Sequence, residues 1–428
     1  MAHLTIESRR LSGTVLAQPS KSMAHRALIC AFLSKGESSI DNIVFSRDIE
    51  TTLGAVSALG AAARIMPSKC FPGRHRVIIT SSGEVKPGGK VINCHESGST
   101  ARFIMPITRL SSEPVTLTGS GRLVSRPFDI YRELFTQKGV SYRDDGGRMP
   151  ISLEGRLQPG EYTLSGDVSS QFISGLLFTL PLLDGDSTLR VVGPVESLPY
   201  IQMTLAVMKD FGVGAEVSED YRTYAIKGNQ RYAARNMTVE GDWSQAAFFC
   251  VLGAISGGVR IDGLNFRSLQ GDKVILDLIR RMGSSARAEG DSLIIEKGSL
   301  QAISVDVSQC PDLVPALAVA LSLCEGRSEI TNAARLRIKE SDRLKAVCEE
   351  MNRLGARIEE LPDGLVIHGV SSFHGNTVQG WNDHRIVMAI AVASSVCNGN
   401  ILLDGSEAVF KSYPGFWDDF KALGGMIK

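Results

Sequence analysis

The chain has no excess of charge, no long apolar run and no cysteine-pairing pattern, and each absence removes a class of protein. Lys plus Arg equals Asp plus Glu at 46 each over 428 residues. No overall field therefore draws it to nucleic acid or to an anionic membrane, and any anionic ligand has to be held by local clustering. No stretch approaches the roughly 20 apolar residues of a membrane span. The opening Met1-Ala2-His3-Leu4-Thr5-Ile6-Glu7 lacks the charged-then-apolar order of a signal peptide. The eight cysteines (Cys30, Cys70, Cys94, Cys250, Cys310, Cys324, Cys348, Cys397) include no C-x-x-C pair, which predicts free, mostly buried thiols in a reducing cytoplasm. The seven histidines are scattered, without Cys/His spacing for a structural metal. Also missing are a G-x-x-x-x-G-K-S/T phosphate loop, a dinucleotide fingerprint after a first strand, and H-E-x-x-H.

What is there is a repeat. Six times an apolar, helix-like segment closes on a glycine and re-enters a strand, at Gly60, Gly139, Gly212, Gly283, Gly355 and Gly424, with intervals of 79, 73, 71, 72 and 69 residues. One unit used six times is the simplest account. In each unit a nearly all-apolar helix, such as Ala27 to Leu33 or Leu313 to Leu323, precedes the glycine-terminated one, and that composition predicts burial on every side. The second helices carry a stripe, as in Ile275, Leu278, Ile279 and Met282, and should lie half exposed. Each unit reads as β-α-β-α-β-β. At this length two domains are expected, with residues 20–239 holding units one to three. Residues 1–19 and 240–428 hold units four to six, because Leu4 to Ala17 lacks a local partner. The chain would then cross between domains twice, near Pro19-Ser20 and near Glu240-Gly241-Asp242, as a hinge would.

Polar and basic motifs fall at equivalent places in these units: at core-helix starts, or in the loop after the following strand. Gln18-Pro19-Ser20-Lys21-Ser22-Met23-Ala24-His25-Arg26 sets Lys21, Ser22 and Arg26 around a helix N-terminus, the makings of an anion site. His25 reads as a packed or capping histidine. Arg122 and Arg126 precede Pro127, a residue suited to a first helical position. Lys339 and Arg343 stand at i, i+4 with Glu340 beside them, Asp383-His384-Arg385 caps the sixth core helix, and Lys411 follows that unit's strand. Symmetry would gather Lys21, Arg26, Arg102, Arg126, Lys339, Arg343, Arg385 and Lys411 at one cleft between the domains. Arginine forks suit phosphate and carboxylate, so small molecules carrying both groups are the expected ligands, and their binding should close the hinge. Asp312 and Glu340, acids among cations, are candidate proton acceptors; for Asp312 the plainer alternative is a helix cap.

Taken in order, Pro19-Ser20-Lys21-Ser22 with Arg26, Gly98 to Arg102, Arg126-Pro127, Ser169-Ser170-Gln171-Phe172, Pro311-Asp312, Lys339-Glu340-Ser341-Asp342-Arg343, Asn382-Asp383-His384-Arg385, and Lys411 with Pro414 make the chain similar to the 5-enolpyruvylshikimate-3-phosphate synthase family of enolpyruvyl transferases. The resemblance runs from Leu11 to the C-terminus. It implies an α/β fold of two domains, each an inside-out α/β barrel of three β-α-β-α-β-β repeats. It also implies transfer of the enolpyruvyl group of phosphoenolpyruvate to the 5-hydroxyl of shikimate 3-phosphate with release of phosphate, a step of the shikimate pathway to chorismate and aromatic amino acids. By the same resemblance, shikimate 3-phosphate would meet Lys21, Ser22, Arg26, Ser169, Ser170, Gln171, Ser197, Tyr200, Asp312 and Lys339. Phosphoenolpyruvate would meet Lys21, Gly98, Arg126, Gln171, Arg343, Arg385 and Lys411. Asp312, Glu340, Lys21 and Lys411 would be catalytic, with no metal or cofactor, no nucleic-acid or membrane partner, and a monomeric cytoplasmic enzyme. Where familiar members read Gly-Asn-Ala-Gly-Thr-Ala-Met-Arg-Pro, this chain has Ser99 and Phe103 in the corresponding His95 to Phe103, which would alter the wall beside phosphoenolpyruvate. The retained Gly98 implies at least moderate inhibition by glyphosate. Arg335 would add a phosphate contact or be solvated. Two alternatives are the sister transferase acting on UDP-N-acetylglucosamine, whose cysteine loop would fall near Gly121, and a non-catalytic phosphometabolite-binding protein on the same scaffold.

Overall fold

The structure, a computed structural model, describes residues 3–428. It divides into two compact units, Pro19–Val239 and Glu240–Lys428, the latter joined by the leading residues up to Gln18. Pro19, grouped with the leading segment on sequence grounds, falls with the other unit.

The unit Pro19–Val239 contains helices α1 (Lys21–Leu33), α2 (Arg47–Ala58), α3 (Gly98–Ile107), α4 (Asp129–Gln137), α5 (Ser170–Thr179) and α6 (Leu198–Asp210). The odd-numbered helices form the centre: Leu28, Ile29, Phe32, Ile104, Met105, Phe172, Ile173 and Leu176 are wholly buried. Three four-stranded sheets lie outside them. The sheet of the second repeat runs Val91–Asn93, Val115–Thr118, Arg148–Glu154, Ser141–Asp145, its first pair parallel and the others antiparallel. The third repeat does the same with Gly160–Ser165, Ser187–Val192, Thr223–Ile226 and Glu216–Val217.

The other unit carries α7 (Trp243–Ile255), α8 (Ile275–Arg281), α9 (Val314–Leu321), α10 (Arg343–Arg353), α11 (His384–Ser394) and α12 (Phe416–Ala422). Here α7, α9 and α11 are central, with every residue of α7, α9 and α11 buried. The stripe of α8 also packs inward, Ile275, Leu278, Ile279 and Met282 being 2% exposed or less. The fifth repeat's sheet keeps the common order, Ser304–Asp306, Arg327–Thr331, Gly364–His368, Arg357–Leu361. The sixth is looser: Thr377–Gln379, Ile401–Asp404 and His3–Ile6 form three strands, and Phe373–His374 pairs apart with Cys397–Asn398. The sheets remain separate and close no barrel; helices inside and sheets outside is what makes each unit inside-out.

Two strands are exchanged along the chain. The strand before α1, Gly13–Leu16, pairs in parallel with Val259–Asp262 in the fourth repeat's sheet. The strand before α7, Asn236–Thr238, pairs in parallel with Lys35–Ile43 in the first. Each takes the edge position that the strand before the core helix holds elsewhere.

The repeat glycines all serve one purpose. Gly60, Gly139, Gly212, Gly283, Gly355 and Gly424 have φ of 117°, 75°, 80°, 99°, 91° and 96°, each immediately after the C-cap of an even-numbered helix. In each, the glycine N–H returns to the carbonyl three residues back and the next N–H to that five back, as in Ala61 to Val56 and Val140 to Phe135. Six such terminations satisfy carbonyls that a helix end leaves open, and only glycine takes this backbone without strain.

Candidate functional site

Five of the six core helices start alike. Ser20, Ser97, Ser169, Asp242 and Asp383 stand at the N-cap, each accepting a first-turn N–H with its side chain, a contact worth about 1 kcal/mol. Two residues on come Ser22, Ser99, Gln171, Ser244 and Arg385. In each unit two of these second positions touch: Gln171 Nε2 donates to Ser99 Oγ at 2.9 Å, and Arg385 Nη2 donates to Ser244 Oγ at 2.9 Å. The exception is α9, preceded by a 3-10 turn, Pro311–Leu313. Asp312 lies inside that turn and not at an N-cap, and its carboxylate faces side chains.

In the unit Pro19–Val239 the candidate residues gather at the starts of α1, α3 and α5. Lys21 opens α1 and places Nζ 2.7 Å from Asp48 Oδ2, near the start of α2. Arg26 is buried, and its guanidinium donates through Nε to Thr204 (2.8 Å), Nη1 to the Ser22 carbonyl (2.7 Å) and Nη2 to the Tyr200 carbonyl (2.8 Å). It ties α1 to α6 and fixes the backbones of two other candidates. Phe103, expected at the ligand wall, is buried under Arg26, 5.2 Å from guanidinium carbon to ring centre. Gln171 Oε1 accepts from Arg102 Nη1 at 2.8 Å, and Arg102 lies over Phe172 and Phe128. Arg126 ends the 3-10 turn Gly121–Ser125. The N-cap of α4 is Phe128, so Pro127 stands ahead of the helix and not at its first position. A Cβ on Gly98 would lie 2.7 Å from Arg126 Nη1, 3.5 Å from Arg102 Nη1 and 3.8 Å from Gln171 Oε1, so three basic or polar side chains crowd this one glycine. Ser169 caps α5, Ser170 is buried behind it, and Ser197 takes a left-handed backbone (φ 53°) before α6, which carries Tyr200.

Beneath this surface runs a buried polar chain from Ser97 Oγ to Thr100 Oγ1 (2.8 Å), Thr52 Oγ1 (2.6 Å) and His25 Nδ1 (2.7 Å). It joins α3, α2 and α1. Burial outweighs the pull of Asp48 and lowers His25 to about 3, so its ring is neutral and packed.

In the other unit Arg343 is the hub. Only 2% of its side chain is exposed, yet it donates Nη1 to Asp312 Oδ1 (2.9 Å), Nη2 to Glu340 Oε2 (2.7 Å) and Nε to Asp383 Oδ2 (2.8 Å). Arg385 Nη2 reaches Asp312 Oδ2 at 3.0 Å and Nη1 the Asp312 carbonyl at 3.1 Å. Lys339 Nζ stands 3.9 Å from Asp312 Oδ1. Because α10 begins at Arg343, Lys339 and Arg343 share no helical face; Asp312 brings them together. Burial disfavours the Asp312 carboxylate, but Arg385, Lys339 and Arg343 win, and its carboxyl is held well below the usual range. Burial likewise lowers Lys339, against the pull of Asp312, to about 8. Lys411 ends the 3-10 turn Ser406–Lys411, packed against α11. Arg335 Nη2 donates to the Ser308 carbonyl at 2.9 Å.

Asp48, Ser244 and the arginine-binding side of Asp383 escape a motif reading. Aligning the repeats on their N-caps would have found Ser244; nothing in the spacing points from Lys21 to Asp48, 27 residues away. Among the described residues no group of three or more His, Cys, Asp or Glu could hold a metal ion, and no helix is long and apolar enough to cross a membrane. At Gly121, near which the sister transferase's cysteine loop would fall, φ is 54° and a Cβ would meet the Glu96 side chain.

A profile of the family described as EPSP synthase (3-phosphoshikimate 1-carboxyvinyltransferase) matches residues 6–420. A relative named 3-phosphoshikimate 1-carboxyvinyltransferase from Clostridium kluyveri is 43% identical over 427 residues, covering 100% of this chain and 98% of its own. One of the same name from Clostridium botulinum (strain Eklund 17B / Type B) is 46% identical over 431 residues, with 99% and 98% covered. Among solved structures, an EPSP synthase from Acinetobacter baumannii shares the fold with a TM-score of 0.82 at 23% identity, covering 100% of this chain and 99% of that one. With a profile and full-length identities in agreement, the chain belongs to the EPSP synthase (3-phosphoshikimate 1-carboxyvinyltransferase) family.

Proposed function

We propose that this chain transfers the enolpyruvyl group of phosphoenolpyruvate to the 5-hydroxyl of shikimate 3-phosphate. The 5-oxygen bonds to carbon 2 of phosphoenolpyruvate while carbon 3 gains a proton. Carbon 3 then loses a proton as the bond from carbon 2 to the phosphate oxygen breaks, releasing inorganic phosphate. The observation that carries the site assignment is the Arg343 hub, which sets two carboxylates, Asp312 and Glu340, beside two further cations, Arg385 and Lys339.

In this reading Asp312 takes the hydroxyl proton and Glu340 delivers and removes the proton at carbon 3, while Lys21, Arg126, Arg343, Arg385 and Lys411 neutralise carboxylate and phosphate. Gly98 and Gln171 pack against phosphoenolpyruvate. Ser22, Ser169, Ser170, Ser197, Tyr200 and Lys339 hold shikimate 3-phosphate, with Arg26 setting Ser22 and Tyr200 from below. Asp312 is a poor base while three cations hold it. Anionic ligand groups compete for Arg343, Arg385 and Lys339, and each cation drawn away raises the basicity of Asp312 when the hydroxyl arrives. Substrate binding thus arms the base. The eight free cysteines, six of them buried, fit an enzyme of the cytoplasm, and the same reading takes it as a monomer.

The test is phosphate release by the purified protein. It should require shikimate 3-phosphate and phosphoenolpyruvate together; release from phosphoenolpyruvate with UDP-N-acetylglucosamine instead, or from neither pair, would overturn the reading.

A further inference from the structure

The segment between Gln379 and Asp383 has an unusual backbone. Trp381 and Asn382 both take left-handed conformations, φ 53° and 48°, which a bulky residue adopts only when its surroundings impose it. Directly after them come Asp383, which binds Arg343 and caps α11, and Arg385, which binds Asp312. Whatever holds Trp381 and Asn382 therefore aims two members of the charged cluster.

A buried carboxylate is at the right place. Glu350 of α10 is 1% exposed. It accepts the Trp381 indole N–H through Oε1 at 2.7 Å and the Gln379 backbone N–H through Oε2 at 3.0 Å, with Arg353 Nη1 at 3.4 Å from Oε2. Arg343 and Glu350 are seven residues apart, two turns, and so share one face of α10. That face grips the incoming segment twice, at Asp383 by Arg343 and at Gln379 and Trp381 by Glu350. A third tie fixes the segment's start: Gly380 donates its N–H to the Asp404 carbonyl at 2.7 Å, and a Cβ there would meet Val387 and two carbonyl oxygens at 2.7 to 3.0 Å.

We propose that Glu350 is a positioning residue for the reaction, holding the strained Trp381–Asn382 turn so that Asp383 orients Arg343 and Arg385 reaches Asp312. This rests on the functional reading above, in which Arg343 and Arg385 bind phosphoenolpyruvate. All three partners of Glu350 are donors, so glutamine, with one acceptor oxygen and an amide that can only donate, keeps the shape and loses a buried bond.

Glu350→Gln should raise KM for phosphoenolpyruvate about tenfold and leave KM for shikimate 3-phosphate within about twofold, the split expected for a misaimed cation and not for general loosening. Trp381→Phe, which removes the indole N–H, should act in the same direction, and the double variant should fall short of the product of the two single effects because both act through the one turn that Glu350 holds. A uniform loss of kcat with both KM values unchanged, or fully additive effects, would overturn the proposal. If Glu350→Gln does not fold, Trp381→Phe carries the kinetic test alone. A crystal structure of the variant gives a readout independent of activity: Arg385 should leave Asp312, and an Arg385–Asp312 contact unchanged from 3.0 Å overturns the assignment even if the wild-type protein releases no phosphate and the functional reading itself fails.

Discussion

At Gly98 one carbon atom decides where a guanidinium sits. The first atom an added methyl would meet is Arg126 Nη1, at 2.7 Å, and the far end of an arginine moves more easily than a helix start. Gly98→Ala should therefore act by displacing Arg126, raising KM for phosphoenolpyruvate by about tenfold, as for loss of a charge-assisted hydrogen bond. KM for shikimate 3-phosphate should hold; steady-state kinetics with each substrate varied in turn is the check. Asp312 and Glu340 separate by a second measurement. Each replaced by alanine should lower turnover by about a hundredfold, but only Asp312→Ala leaves Arg343, Arg385 and Lys339 without their shared acceptor. Its denaturation midpoint should fall with its activity, whereas Glu340→Ala, with Arg343 still bound by Asp312 and Asp383, should unfold near wild type. Lys339 gives a pH test with a definite sign. Its proton dissociates near 8 in the ligand-free protein, and a bound phosphate favours the charged ammonium. Ligand binding above about pH 8 should take up a proton, and affinity should weaken as pH rises through that value. Calorimetry of shikimate 3-phosphate binding in buffers of different ionisation enthalpy reads the uptake; none at pH about 8.5 would remove Lys339 from the ligand's neighbourhood.

The elements carry a cost that can be read one glycine at a time. Gly139 (φ 75°) has no atom within 4 Å of an added Cβ, while at Gly283 (φ 99°) the Cβ would lie 3.0 Å from the Ser299 carbonyl oxygen. Gly139→Ala should cost about 1 kcal/mol, the backbone penalty alone. Gly283→Ala adds a backbone contact that cannot swing aside, and should cost visibly more. Urea unfolding of the two variants measures the gap, and equal costs would mean that the carbonyl contact is soft. These terminations were legible in the sequence because a left-handed helix end demands glycine locally, and so was the N-cap Asp383, whose bond reaches only two residues. What the sequence hid depends on partners far along the chain. Lys21 reads as a cation awaiting an anion and is found on Asp48; Arg26 reads as a ligand contact and is found buried on Thr204, 178 residues away. Asp312 reads as a base with a helix cap as the alternative, and only the 3-10 turn ahead of α9 removes the cap. Local chemistry can be read from spacing, but which charge meets which waits on packing.

For the whole molecule, the exchanged strands make the two units unequal as pieces of chain. Pro19–Val239 is continuous and already contains Asn236–Thr238, the strand that completes its first sheet. Glu240–Lys428 is not self-sufficient: its fourth sheet needs Gly13–Leu16 and its sixth needs His3–Ile6, whose partner is Ile401–Asp404. The loss goes deeper than two edge strands, since Ile6, Leu11 and Val15 are buried in that unit's core. Burial of three such side chains contributes roughly 1.5–3 kcal/mol each, a large share of the 5–15 kcal/mol by which a domain is stable. A fragment of residues 19–239 should fold cooperatively, with a single sigmoidal unfolding transition and native-like protection of the α1, α3 and α5 amides. A fragment of residues 240–428 should be loosened or aggregated, and should recover cooperativity when residues 1–18 are returned through a linker to its C-terminus. The bridge between Ile6 and Ile427 puts the leading strand beside that end, so a short linker should suffice. Cooperative unfolding of residues 240–428 alone would show that the borrowed strands contribute little, and failure of residues 19–239 to fold would show that its completed sheet is not enough.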